Sequence, residues 1–87
     1  MKVSSIKFKA VVPQKGLIGF ASVVIDDWLF LNNIAVFTRL SDNQKIRLVF
    51  PEKRIGKIRI SLFYPLTSEQ YYLLESAILL KVKNIWN

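Results

Sequence analysis

The chain predicts an α+β fold, an antiparallel sheet of about five strands with one C-terminal helix packed on it. Three observations carry that expectation. Apolar and polar residues alternate with a period of two through much of positions 3–63, which is the period of strands. Short clusters of Pro, Gly, Asp, Asn and Ser interrupt the alternation and supply reversals. Beyond Pro65 the apolar period becomes helical, and no Pro or Gly follows. Strands followed by a helix segregate into the layers of an α+β domain.

Each element follows in order. Val3 to Val12 turns Ile6, Phe8, Ala10 and Val12 to one side and Ser5, Lys7 and Lys9 to the other, a half-buried strand. Pro13-Gln14-Lys15-Gly16 predicts a turn, with Pro fixing φ and Gly free to take a positive one. Leu17 to Ile25 is a β-branched, more fully buried strand. Gly19 inside it marks a bulge or the close approach of another backbone. Asp26-Asp27 is the next reversal. Trp28 to Phe37 is the third strand, and Asn32-Asn33 within it marks a bulge or an irregular edge.

Leu40 to Asn43 predicts a turn whose Ser, Asp and Asn side chains bond their own backbone. Gln44 to Phe50 is the fourth strand, with Ile46, Leu48 and Phe50 inward and Lys45, Arg47 and Val49 outward. Pro51 to Lys57 is expected as a loop. A short fifth strand, Ile58 to Phe63, would turn Ile58, Ile60 and Leu62 inward and Arg59, Ser61 and Phe63 outward. Thr67-Ser68-Glu69-Gln70 fits a capping box, in which Thr67 accepts from the Gln70 amide and Gln70 reaches back. The helix from Ser68 to about Asn84 carries Leu73, Leu74, Ala77, Ile78 and Leu80 as its apolar stripe. Glu69 near its start and Lys81 and Lys83 near its end suit the helix dipole.

Composition bounds the function. Eighty-seven residues are read as one domain, 1–87. Such a chain buries only about 60–65% of its unfolded surface. Because 52% of its residues are hydrophobic, some must lie outside, and the expected cover is a second copy in a homodimer. There is no Cys and no His, which excludes disulfides, thiolate metal sites and the usual general base near neutral pH. Adjacent Asp26 and Asp27 point apart, and the three glycines are too scattered for a phosphate-cradling loop. No enzyme activity, cofactor, metal or small-molecule substrate is therefore expected. No apolar run spans a membrane, and the expected location is the cytoplasm.

The formal charge is +7, a field that attracts polyanions. It is concentrated. Between Lys45 and Arg59 six basic residues face one acid, Glu52, for a local net of +5. If strands four and five pair, Lys45, Arg47 and Arg59 share one outward face, with Lys53, Arg54 and Lys57 at the connecting loop. Lysine and arginine there would contact successive phosphates, and arginine a guanine edge. The blander alternative is a sheet edge kept unpaired by its charge. Lys81 and Lys83 form a second, weaker patch. The late aromatics Phe63, Tyr64, Tyr71, Tyr72 and Trp86 suit either base stacking or a core and dimer seam.

The order of short motifs resembles the SpoVG family, the small bacterial septation and sporulation regulators. Val3-Ser4-Ser5-Ile6-Lys7-Phe8 is similar to the family's first strand, and Gly16 sits at its first turn. Ala21-Ser22-Val23-Val24-Ile25-Asp26 resembles its Ala-Ser-Ile-x-Leu-Asp strand. Ile34-Ala35-Val36 falls where the family has Ile-Arg-Val, and Asn33 where it has an acid. Phe50-Pro51-Glu52-Lys53-Arg54 resembles Met-Pro-Ser-Lys-Arg, and Tyr64-Pro65-Leu66 resembles His-Pro-Ile. The resemblance implies a homodimer that binds DNA, and in some members RNA, as a non-enzymatic regulator. It implies Lys53 and Arg54 as the foremost contacts, with Lys81 and Lys83 in a helical segment that also contributes. The rival expectation is a protein–protein adaptor in cell division whose basic charge is incidental.

Overall fold

A computed structural model describes residues 1–39 and 42–86. The elements run β1 (Val3–Gln14), β2 (Leu17–Ile25), β3 (Leu29–Arg39), β4 (Asp42–Val49), β5 (Glu52–Ile55), β6 (Ile58–Ser61) and α1 (Ser68–Trp86). Strands β1 to β4 form an antiparallel meander in chain order, and β5 and β6 pair separately as a two-stranded ribbon. The α+β architecture with one C-terminal helix on the sheet is as expected. The strand count is six, in two sheets.

The tight reversals follow from residues that tolerate the left-handed region. Lys15 and Gly16 have φ of 52° and 88°, and Gln14 pairs with Leu17, so the turn is the two-residue I′ form that suits strand twist. Pro13 and Gln14 belong to the strand. A proline fits there because β1 is an edge and needs no outward N–H. Asp26 and Asp27 also take positive φ, and the Trp28 N–H donates to the Ile25 carbonyl at 3.2 Å. Asp26 further ties down the chain start, since the Lys2 N–H donates to its Oδ1 at 2.7 Å and its own N–H to the Lys2 carbonyl at 2.7 Å. Trp28 lies in this reversal and not in β3. The turn read at Leu40 to Asn43 falls partly on Leu40 and Ser41, which lie outside the described residues.

Both irregularities read from the sequence are present. Ala21 pairs with Ile34 but Val23 with Leu31, so β3 carries one extra residue, and Asn33 sits there with φ 61°. At Gly19 a Cβ would drive into the Lys9 carbonyl and the Phe8 ring, so only glycine lets β1 and that ring lie close. One expectation fails in β1. The five residues from Ala10 to Gln14 oppose only the three from Gly19 to Leu17, which breaks the alternation beyond Ala10, and Ala10 and Val12 are exposed.

The core lies between one face of the meander and α1. Ile18, Ala21, Val23 and Ile25 of β2, Ile34 and Val36 of β3, and Ile46 and Leu48 of β4 meet Leu74, Ile78 and Val82 of the helix. The buried helical stripe is thus narrower than predicted, and Leu73 and Leu80 are exposed, because the sheet accepts one row at i, i+4 spacing. The helix starts as its cap predicts, with the Gln70 N–H donating to Thr67 Oγ1 at 3.2 Å. Gln70 Oε1 accepts from Leu66, one residue before the predicted partner, at 3.2 Å.

Tyr71 joins helix to sheet. The N–H of Leu48, on the outer edge of β4, donates to the Tyr71 hydroxyl at 3.0 Å. The same ring meets Phe50 edge-on at 6.2 Å between centroids, and Phe50 meets Phe63 likewise at 6.0 Å. Tyr71→Phe keeps the ring contacts and leaves a part-buried N–H without its acceptor. Urea denaturation should register a loss of about 1–2 kcal/mol. Tyr72→Phe, at an exposed position, should change nothing measurable.

Candidate nucleic-acid interface

The basic residues do not form the single face expected of paired fourth and fifth strands. β4 pairs with β3, and the segment read as a loop contains β5, which takes Ile58–Ser61 as its partner. β4 ends at Val49, and Pro51, two residues on, lacks an N–H, so the ladder does not resume there and the chain turns out of the sheet. The Leu62 N–H donates to the Pro51 carbonyl at 3.0 Å and closes the ribbon at its base. At its tip Gly56 has φ 61° ahead of Lys57, the arrangement of a II′ hairpin turn.

All four residues of each ribbon strand are exposed. Ile58, Ile60 and Leu62, expected inward, are 64%, 43% and 57% exposed, since among the described residues no layer packs on them. Phe63, expected outward, is half-buried against Phe50.

The register sorts the ribbon chemically. Directly opposed residues share a face, so Glu52, Arg54, Arg59 and Ser61 lie on one side and Lys53, Ile55, Ile58 and Ile60 on the other. Neighbouring Lys53 and Arg54 therefore point to opposite faces. Arg59 donates to Glu52 across the ribbon at 2.9 Å. Arg54 stands directly opposite Arg59, and among the described residues no carboxylate pairs with it. Like charges directly opposed across a ladder repel. An anion bound between them would relieve that repulsion.

The polar face looks toward the uncovered face of the meander. Between them lies an open cavity of about 650 Å³, lined on the sheet side by Phe20, Asn33, Ala35 and Val49 and on the ribbon side by Glu52, Lys53, Arg54 and Arg59. Arg47 lies on this same sheet face, its guanidinium 4.9 Å from the centre of the Phe37 ring. Lys45 is exposed on the same strand, and Lys57 is exposed at the ribbon tip. Lys81 and Lys83 are exposed on α1, which covers the other face of the sheet, so the structure does not bring them to the ribbon. The predicted residues thus fall into three groups: the ribbon, the open face and the helix.

Sequence reasoning missed Phe20 and Asn33. Phe20 interrupts a run of buried residues in β2 on the side away from the helix, a signal that alternation alone contained. No protein-family model matches the chain, and no curated protein matches it. Among the described residues no helix is long and apolar enough to cross a membrane.

Arg54→Thr removes the opposed charges and supplies a good strand former. Amide hydrogen exchange in β5 and β6 should slow about two- to five-fold. Exchange that is unchanged or faster would count against the repulsion.

Proposed function

We propose that the protein is a dimeric nucleic-acid-binding regulator of the SpoVG type, acting on DNA and also RNA in the cytoplasm, in septation, sporulation or gene regulation, without catalysis of its own. The observation that carries the reading is the opposed pair Arg54 and Arg59 lining the cavity, where the one carboxylate, Glu52, bonds Arg59 and leaves Arg54 without an acid partner among the described residues. A guanidinium fork with no carboxylate partner, that of Arg54, suits the oxygens of a phosphate. Lys53 and Lys57 extend the positive field along the ribbon, Lys45 and Arg47 flank it, and Lys81 and Lys83 serve as a separate, weaker contact. The resemblance of the motif order to SpoVG proteins supports Lys53 and Arg54 among these, and Lys81 and Lys83.

The apolar ribbon face supports the dimer. Ile55, Ile58 and Ile60 lie side by side and are 53%, 64% and 43% exposed. A twofold contact would cover each copy's ribbon with the other's, and a stable interface of this kind buries on the order of 1,200–2,000 Å². The same face suits a second reading, an adaptor that docks another protein.

Neutralising about six phosphates of a duplex predicts a log–log salt slope near −5, measured by fluorescence anisotropy. The double variant Lys53→Glu/Arg54→Glu should lose binding while its thermal unfolding is unchanged. Unaltered affinity in the folded double variant would remove the assignment. Ile58→Asp/Ile60→Asp should convert a dimer to a monomer in sedimentation equilibrium. If the wild type sediments as a monomer and captures a protein that survives nuclease treatment, the adaptor reading takes its place.

A further inference from the structure

The uncovered face of the meander carries side chains that the ribbon site does not use. A second concavity, of about 570 Å³, is lined by Lys7, Lys9, Phe20, Asn32 and Asn33 among others. It shares Phe20 and Asn33 with the cavity beneath the ribbon, so the two adjoin. Together they make a track from the β1 edge to the ribbon.

Register fixes what lies along it. Lys9 pairs with Phe20, Phe20 with Ala35 and Ala35 with Val49, one row across all four strands. At about 4.8 Å per strand the row is about 14 Å long. Lys7 lies two residues along β1 on the same face, opposite Ser22. Phe20 is 38% exposed on an interior strand, and its neighbour Ala35 is too small to cover it. Asn33 is exposed at the bulge, where its amide offers both donor and acceptor.

Charge settles the class of occupant. The track has cations at both ends, Lys7 and Lys9 at one and Arg54 and Arg59 at the other. Its one carboxylate, Glu52, is already held by Arg59. A polyanion fits that pattern. A duplex keeps its base faces stacked inside and has nothing to lay on an exposed ring. A single strand presents both phosphates and base faces, and four-stranded sheets with exposed aromatics stack about two or three such bases.

We infer that this face binds single-stranded nucleic acid, with a base stacked on Phe20, an amide contact from Asn33, and phosphates held by Lys7 and Lys9 at one end and Arg54 at the other. The inference rests on the nucleic-acid reading above and narrows its ligand to the single strand.

The test is anisotropy with labelled oligothymidylate and oligouridylate of about 12 nucleotides, beside a duplex of the same length. Either single strand should bind at least about tenfold tighter than the duplex, and the ratio of the two separates DNA from RNA. Phe20→Ala should weaken single-strand binding about tenfold. Lys7→Ala/Lys9→Ala should lower the single-strand salt slope by about 0.7 per residue. These two lysines are exposed, so their variant decides the matter if Phe20→Ala fails to fold. Wild-type affinity in both variants, with binding lost in Lys53→Glu/Arg54→Glu, would overturn the inference and leave the ribbon site standing. A duplex that binds as tightly as the single strands would do the same. No binding of any probe by the wild type would overturn both.

Discussion

The shape of the molecule depends on how the outer edge of β4 is closed. One hydroxyl, that of Tyr71, takes the Leu48 N–H, and its ring holds Phe50, the first residue past the end of β4. That pair of contacts sets the helix over a single face of the meander. Among the described residues no helix packs on the opposite face. The chain beyond Phe50 must then leave the sheet, because the edge it would extend is occupied and Pro51 cannot donate to a ladder. The projecting ribbon and the open face above which it stands are both consequences of this closure.

The ribbon shows how two incompatible tasks fit into eight residues. Period-two alternation sends neighbouring side chains to opposite sides, so Ile55, Ile58 and Ile60 share one face with Lys53, and Arg54 and Arg59 lie on the other. The cationic face turns inward to the cavity, and the apolar face outward. Arg54 stands opposite Arg59 with no carboxylate partner among the described residues, a cost to the ribbon.

The sequence made the meander legible because its punctuation is chemical. Lys15-Gly16, Asp26-Asp27 and Asn33 all stand where positive φ occurs, and Thr67 caps the helix it appeared to cap. The ribbon was not legible. Alternation of Ile58, Ile60 and Leu62 with polar neighbours looks the same whether the apolar side meets a core or water. The short strand Glu52–Ile55, behind a proline and with only one apolar residue, looks like a loop. The site was half legible for a related reason. Charge density between Lys45 and Arg59 is visible in one dimension, but its division into faces depends on pairing. Lys7 and Lys9 passed as the wet side of a strand, and their alignment with Phe20 exists only through the β1–β2 register.

The position of β2 has a further consequence. Leu17–Ile25 is nine residues of high strand propensity with no charge and no proline, the composition from which steric-zipper fibrils form. Here both its edges are occupied, by β1 and β3. β1 acts as a shield, carrying lysines and a proline that discourage further strand addition, and it is pinned at one end by the Lys2–Asp26 bonds and along its length by the Phe8 ring over Gly19. Detachment of β1 would bare the β2 edge to other chains. The close contact at Gly19 thus helps keep that edge covered.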